Sequence, residues 1–404
     1  MDWQLISHYI VAIMILPIVV LTVRNVVKNS ASLFDDDLTA NDRTLLKQFA
    51  VFLLLPIVAL FHEMGHALVA KFLGVDVVGF HWSLFFGQVE VSGNLTPVQT
   101  FIIALAGNVF QLIAILFALL IAVISRSPAI VALNVYLYLF SGFSGLIFYP
   151  LLSLVGWNYD FAIIYGSDER RLALITGIIH IALVALFTWT FLSQKARLWF
   201  AKKTRPVWAK EYDKVLTRVQ SEPNAVNLLS QAWQFYFVGL DKSAEETLDR
   251  VENIDPDLKD VWLLRGYLHQ SRGRYQSAVL CFEQITNAAL QDKSLLARGW
   301  MARGHCLADQ MDSSDGPDGK DGKKDYNPIL MSYKQACTAD SLLADPHYYL
   351  AVTLTKAGQI KDAEAELELC QNYAKRGLTW LDPILATMVR DVLAQIRQAS
   401  KPKP

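Results

Sequence analysis

Five stretches of this chain are apolar over the roughly 20 residues that a helix needs to cross a bilayer. They run Trp3–Val23, Gln48–Ala70, Val91–Ser125, Ser127–Tyr159 and Leu172–Gln194. The last three hold no Asp, Glu, Lys or Arg, and the first carries no charge beyond what His8 can take up. The second carries a single carboxylate, Glu63, between two histidines. Charge is concentrated elsewhere: of 37 basic and 38 acidic residues, 19 fall in Met1–Ser193 and 56 in the remaining 211 residues. An N-terminal half that avoids charge needs a lipid bilayer around it, and a C-terminal half charged like a soluble domain does not. A fully soluble enzyme, a fibrous protein and a disordered chain are excluded. A net charge of −1 leaves no basic footprint for nucleic acid. Trp3–Val23 lacks a basic leader, and Leu21-Thr22-Val23 is a poor small-residue cleavage site. It is expected to be a retained anchor rather than a signal peptide.

Between the second and third stretches, Val75–Ser92 (VDVVGFHWSLFFGQVEVS) is rich in β-branched and aromatic residues. A short hairpin turning at Gly87-Gln88 is expected, lying against protein or at the interface so that its backbone groups find partners. His81 and Glu90 would mark its wet side. After the fifth stretch, Lys195–Lys210 (KARLWFAKKTRPVWAK) is basic and holds no acid. Such clusters stay on the cytoplasmic side, which puts whatever follows in the cytoplasm.

From Ala225 onward an internal period appears. Gly239 and Gly273 are 34 residues apart, each followed five residues later by an alanine (Ala244, Ala278) and then by Leu248 or Phe282. The same step relates Tyr333 and Ala336 to Leu367 and Cys370. Trp262, Gly266, Gly273, Tyr275, Ala278 and Phe282 follow the spacing W-x3-G-x6-G-x-Y-x2-A-x3-F. The period and pattern resemble the tetratricopeptide (TPR) repeat, whose stacked helix pairs form a concave surface for a protein partner. The Gly- and Asp-rich segment 311–328 interrupts the third unit as a flexible insertion, and Asp382–Ser400 is expected to cap the array. Cys281, Cys306, Cys337 and Cys370 show no CxxC spacing and are expected to be small apolar core residues.

The chemistry resides in Phe61-His62-Glu63-Met64-Gly65-His66. H-E-x-x-H on a helix puts two imidazoles on one face, able to reach the same ion, with the glutamate beside them. Glu63 is then placed to take a proton from water activated by zinc and deliver it to a leaving amine. A carboxylate and two histidines are costly in an apolar spanning helix, so they need a partner or a task.

At HEMGH the chain resembles the site-2 protease family of intramembrane zinc metalloproteases. The resemblance covers roughly residues 48–165. Ala106-Gly107-Asn108 is similar to the family's Ala-Gly-Pro/Asn element, and the hairpin sits where the family has membrane-associated strands that present substrate in extended form. It implies a zinc endopeptidase acting on a membrane protein or peptide substrate, with the site nearer the cytosol. The family's later N-x-x-P…Asp-Gly motif supplies its third zinc ligand, and here the chain departs: Pro150 is preceded by Ile147 at the asparagine position, and no Asp-Gly follows. The third metal ligand is therefore expected at Asp160, with His180 and Glu90 as rivals. The basic run conflicts with the resemblance on depth, because counting back through five spans puts His62 and His66 toward the outer half.

The expected fold is all-α: a polytopic membrane helix bundle of about five spans with a small β-hairpin, then an α-solenoid of TPR-like helix pairs. The expected domains are a membrane metalloprotease domain over 1–194, a basic juxtamembrane linker over 195–224 and a TPR-like domain over 225–404. The expected site is Glu63 as catalytic residue with His62, His66 and Asp160 on Zn2+. The alternative is a catalytically inactive, membrane-anchored TPR scaffold, which would have no need of Glu63.

Overall fold

The computed structural model describes residues 3–35, 38–155, 160–288, 291–313, 324–376 and, near the C-terminus, 388–389, 392–393 and 396. The chain divides into two compact units, Met1–Lys214 and Val215–Pro404.

The first unit is helical. Its helices are α1 (Trp3–Lys28), α2 (Ser30–Leu33), α3 (Ala40–Phe49), α4 (Leu55–Phe72), α5 (Pro97–Ile124), α6 (Pro128–Phe143), α7 (Tyr149–Leu154), α8 (Asp160–Tyr165), α9 (Arg170–Leu192), α10 (Gln194–Thr204) and α11 (Pro206–Ser221), the last running into the second unit. Among the described residues four helical stretches are long and apolar enough to cross a membrane: Ala40–Phe72, Pro97–Ile124, Pro128–Ser153 and Arg170–Leu192. The first expected span lies within α1, where the side chains of residues 3–9, 11 and 12 fall outside the described part.

Helix starts follow local chemistry. Thr39 caps α3 and Thr96 caps α5, each in a reciprocal box with the residue three positions on, Asp42 and Gln99. Two spans are interrupted by a π-helical turn, Ala50–Leu54 between α3 and α4 and Ser144–Phe148 between α6 and α7. Each turn ends two residues before a proline, Pro56 or Pro150. A proline ring lacks the N–H and crowds the carbonyl four residues back. The wider turn lets the helix continue past it.

The hairpin forms from β1 (Val77–Ser83) and β2 (Phe86–Val91), paired antiparallel with Ser83 opposite Phe86. Its turn is Leu84-Phe85, with Leu84 in the left-handed region at φ 60°. The turn expected at Gly87-Gln88 is displaced because Gly87 is taken up in β2, where its lack of a side chain is needed for another contact. The run expected as a linker is helical in α10 and α11. Lys203 Nζ donates to the carbonyls of Val123 and Ser125, both at 3.0 Å, at the open C-terminus of α5.

The second unit stacks antiparallel helix pairs: α12 (Ala225–Phe237) with α13 (Asp241–Ile254), α14 (Asp260–Ser271) with α15 (Tyr275–Thr286), α16 (Lys293–Asp312) with α17 (Asn327–Ala339), and α18 (Ala344–Lys356) with α19 (Ile360–Ala374). Gly239, Gly273 and Gly358 make the intra-pair turns at φ 71–79°, a backbone state glycine adopts without strain. The repeat's small and large positions interlock, with Ala244, Leu248, Ala278, Phe282, Ala336 and Cys370 all fully buried. Of the expected insertion, residues 314–323 lie outside the described residues, as does most of the expected cap. Val389, Val392 and Ile396 are buried on the cluster built by α17, α18 and α19.

Gly266 is where this packing is tightest. A Cβ there would lie 2.2 Å from the Phe282 ring. Gly266→Ala is expected to cost about 1–3 kcal/mol through overpacking. Thermal unfolding of the purified chain, followed by helical circular dichroism, measures it.

Candidate metal centre

Helix α4 carries His62 and His66 one turn apart on the face toward α5, and both are buried. Two glycines allow the helices to close on each other. A Cβ on Gly65 would lie 2.8 Å from the Ala106 carbonyl oxygen. A Cβ on Gly107 would lie 2.3 Å from His66 Nε2 and 2.7 Å from His62 Nε2. The space a side chain would fill at Gly107 is occupied by the two imidazole edges.

Each ring is oriented from behind. His66 Nδ1 is 2.7 Å from the Ile103 carbonyl oxygen. A carbonyl only accepts, so Nδ1 carries the proton. His62 Nδ1 is 3.2 Å from Gln111 Oε1, while Gln111 Nε2 donates to the Ser141 carbonyl oxygen at 3.2 Å. Because the Ser141 carbonyl must receive the amide N–H, Oε1 faces His62 and Nδ1 is again the protonated nitrogen. In the neutral rings both Nε2 atoms then carry lone pairs, and they face each other at 3.1 Å. Asp160 Oδ2, at the first residue of α8, lies 3.0 Å from His62 Nε2 and 3.2 Å from His66 Nε2. Asn108 Nδ2 approaches the same oxygen at 3.4 Å.

Two lone pairs and a carboxylate oxygen converging in a buried volume repel one another unless a cation lies between them. Two nitrogens and one oxygen, with Nδ1 donating outward on each ring, are a donor set that fits zinc, and the arrangement behind the rings is the kind that fixes the ligating tautomer.

Glu63 points away from this cluster's rear and into a cleft of about 290 Å3 that it shares with His62. Phe85, Phe86 and Gly87 of the hairpin close one side, and Ser144, Phe148 and Tyr149 close the other. A Cβ on Gly87 would fall 2.2 Å from Glu63 Cγ, so the strand backbone lies directly on the glutamate side chain. The Tyr149 ring stands edge-on to His62 with centroids 6.0 Å apart. The π turn at Ser144–Phe148 thus forms the wall of the cleft facing the hairpin.

The four expected site residues, His62, Glu63, His66 and Asp160, meet within one region. The rivals for third ligand do not. His180 Nε2 donates to the Leu146 carbonyl oxygen at 2.8 Å, and its Nδ1 accepts from the Tyr165 hydroxyl. The Leu146 carbonyl is the one that Pro150, four residues on, cannot serve. His180 supplies the missing donor, and both its nitrogens are used. Glu90 pairs with His81 at 3.7 Å on the exposed part of the hairpin. Residues 156–159, including the expected interfacial Trp157 and Tyr159, lie outside the described residues. Sequence reasoning missed Gln111 and Gly87. Gln111 was findable, because Gly107 and Gln111 are four apart and share a face of an otherwise apolar helix. Gly87 was not, because its role depends on where the strand lands.

The family model for peptidase family M50 matches residues 49–297. No curated protein matches the chain. Among solved structures, the chain is similar to MamA at 13% identity and TM-score 0.32, covering 44% of this chain and 94% of MamA. It is similar to PilW, a type IV pilus biogenesis factor, at 17% identity and TM-score 0.36, covering 48% and 81%. It is similar to the APC/C hetero-tetramer Cut9–Hcn1 at 12% identity and TM-score 0.36, covering 87% and 72%.

The close approach at Gly107 makes a direct test. Gly107→Ala is expected to push both rings off their hydrogen bonds and weaken metal binding at this cluster by roughly tenfold to a hundredfold. Zinc titration of the metal-stripped chain in detergent checks it, with circular dichroism showing that the helices remain.

Proposed function

The chain belongs to peptidase family M50, and from that membership we propose that it is a zinc-dependent endopeptidase hydrolysing peptide bonds of membrane-associated substrates. The observation that carries this reading is the convergence of His62 Nε2, His66 Nε2 and Asp160 Oδ2 to within 3.2 Å of one another beside Glu63. In this reading His62, His66 and Asp160 hold the ion and Glu63 is the catalytic residue. Zinc, if held there, would supply the acidity that makes hydroxide available at neutral pH. Glu63 accepts the proton of the attacking water and passes it to the departing amine. Gln111 and the Ile103 carbonyl keep both rings in the ligating tautomer, and Asn108 steadies the carboxylate. The cleft between the hairpin and the π turn admits an extended peptide, with the backbone of β2 lying on Glu63. The TPR array recruits a protein partner or the substrate itself. The domain assignment follows the same reading: a membrane protease domain over 1–194, a basic juxtamembrane segment over 195–224 and a TPR-like domain over 225–404.

Glu63→Gln keeps the ligands and removes the proton carrier. It is expected to retain zinc at the cluster and lose cleavage of an unfolded substrate in detergent by about 10²–10⁴-fold. His62→Ala, His66→Ala and Asp160→Ala are each expected to lose one equivalent of bound zinc, whereas His180→Ala keeps it. Wild-type turnover in Glu63→Gln would refute the proteolytic reading. Full zinc in Asp160→Ala would refute its place as third ligand.

The orientation follows from the basic run. His66 is held at Ile103, near the hairpin end of α5, whereas Lys203 meets the same helix at Val123, about 30 Å away at 1.5 Å per residue. With the basic run on the cytoplasmic side, the cluster lies in the opposite half of the membrane, the reverse of what the resemblance implies. A C-terminal tag is expected to be protected from added protease in sealed right-side-out vesicles. An externally cleavable tag overturns the assignment.

A further inference from the structure

Among the described residues, two groups bring three histidine, cysteine or carboxylate ligand atoms within 4.8 Å of one another. One is His62, His66 and Asp160. The other is in the second unit: Cys337 on α17, His347 on α18 and Glu366 on α19. His347 is buried, with its Nδ1 2.6 Å from Glu366 Oε2 and 3.7 Å from Cys337 Sγ. Cys337 was expected to be a plain core residue like the other three cysteines. Cys281, Cys306 and Cys370 are indeed buried, whereas Cys337 is partly exposed and turned to this histidine.

The geometry discriminates between the uses such a trio can have. A nucleophilic relay needs the thiol on one imidazole nitrogen and the carboxylate on the other. Here both approach Nδ1, so no relay exists. A thiol, an imidazole nitrogen and a carboxylate converging on one point are instead a ligand set for a borderline-soft divalent ion. Tetrahedral zinc at ordinary bond lengths separates N from S by about 3.5 Å and N from O by about 3.3 Å. The sulfur is already at that distance. The carboxylate must withdraw by about 0.7 Å, which a Glu366 side chain 24% exposed has the freedom to do. The same exposure opens an entry path and leaves a fourth position for water.

We propose that Cys337, His347 and Glu366 form a second zinc site, which ties α17, α18 and α19 together at the C-terminal end of the repeat array. On loading, Cys337 releases one proton to solvent and binds through the thiolate, and the imidazole proton moves from Nδ1 to Nε2. The dication is balanced by one thiolate and one carboxylate, so the site is neutral when filled, which suits its partial burial. Without the ion, burial and the neighbouring Glu366 push the Cys337 thiol up to about 12, so it stays protonated and unreactive. Binding to the folded array and not to the unfolded chain stabilises these helices by mass action. The site stands independently of the proteolytic reading, since it shares no residue with the membrane cluster.

Cobalt(II) separates the two sites, because a thiolate ligand gives an intense near-ultraviolet charge-transfer band that a cluster of histidines and aspartate cannot. The full chain in detergent, stripped of metal and titrated with Co2+, is expected to develop this band fully by two equivalents, one for each cluster, and Zn2+ is expected to bleach it. Cys337→Ser is near-isosteric and is expected to abolish the band while the helices remain by circular dichroism. Glu366→Gln keeps a polar partner for His347 and is expected to weaken binding roughly tenfold or more. His62→Ala is expected to leave the band unchanged. No thiolate band in the wild-type chain, or a band that persists in Cys337→Ser, overturns the proposal.

Discussion

The membrane unit depends on how closely α4 and α5 approach. At Gly65 the Ala106 carbonyl occupies the place of a Cβ, and at Gly107 the two imidazole edges do. Only with both side chains missing can His66 reach the Ile103 carbonyl and His62 reach Gln111 from the same helix face. Those two hydrogen bonds then dictate that both Nε2 atoms present lone pairs to a common point. The charge demand at that point arises from backbone packing, not from any one acidic residue. Asp160 completes it from α8, so the three groups come from two helices, α4 and α8, with α5 holding the rings from behind.

Helix irregularities do the rest of the positioning. The π turns before Pro56 and Pro150 keep two spans continuous through residues that would otherwise break them. The second π turn lines the cleft beside Glu63, and the proline that follows leaves the Leu146 carbonyl in need of a donor. His180 meets that need from α9. A histidine in an apolar span is thus accounted for by a backbone defect on its neighbour, a structural use of the kind that polar groups in spanning helices commonly serve.

The second unit obeys different physics. Its stability is built pair by pair from interlocking small and large side chains, Gly266 under Phe282 and Gly304 under Tyr333. Polar side chains are spent at the edges of the pairs. Arg265 bridges Asp249 and Glu252 between α13 and α14, and Arg272 bridges Asp241 and Glu245. Cys337, His347 and Glu366 depart from this pattern, since they bring three ligating groups from α17, α18 and α19 together, with His347 buried between two partly exposed partners.

The apolar runs, the β-branched and aromatic stretch Val75–Ser92, the HEMGH motif and the 34-residue period were sufficient to establish a membrane helix bundle, a hairpin, a candidate metal-binding helix and a repeat array. These are local properties: a span is a matter of length and hydropathy, H-E-x-x-H of helical spacing, and a repeat of periodicity. Asp160 stood out as a candidate third ligand because acids are scarce between Val91 and Leu172. Tertiary structure alone decided what depends on non-local neighbours. The hairpin turns at Leu84-Phe85 because Gly87 must lie against Glu63. Gln111 reaches His62 across 49 positions of sequence, and His180 finds its partners at Leu146 and Tyr165. Cys337 and Glu366 meet at His347 only because three helices stack in one order. Spacing along a chain encodes which residues share a helix face, but not which face of another helix they will meet.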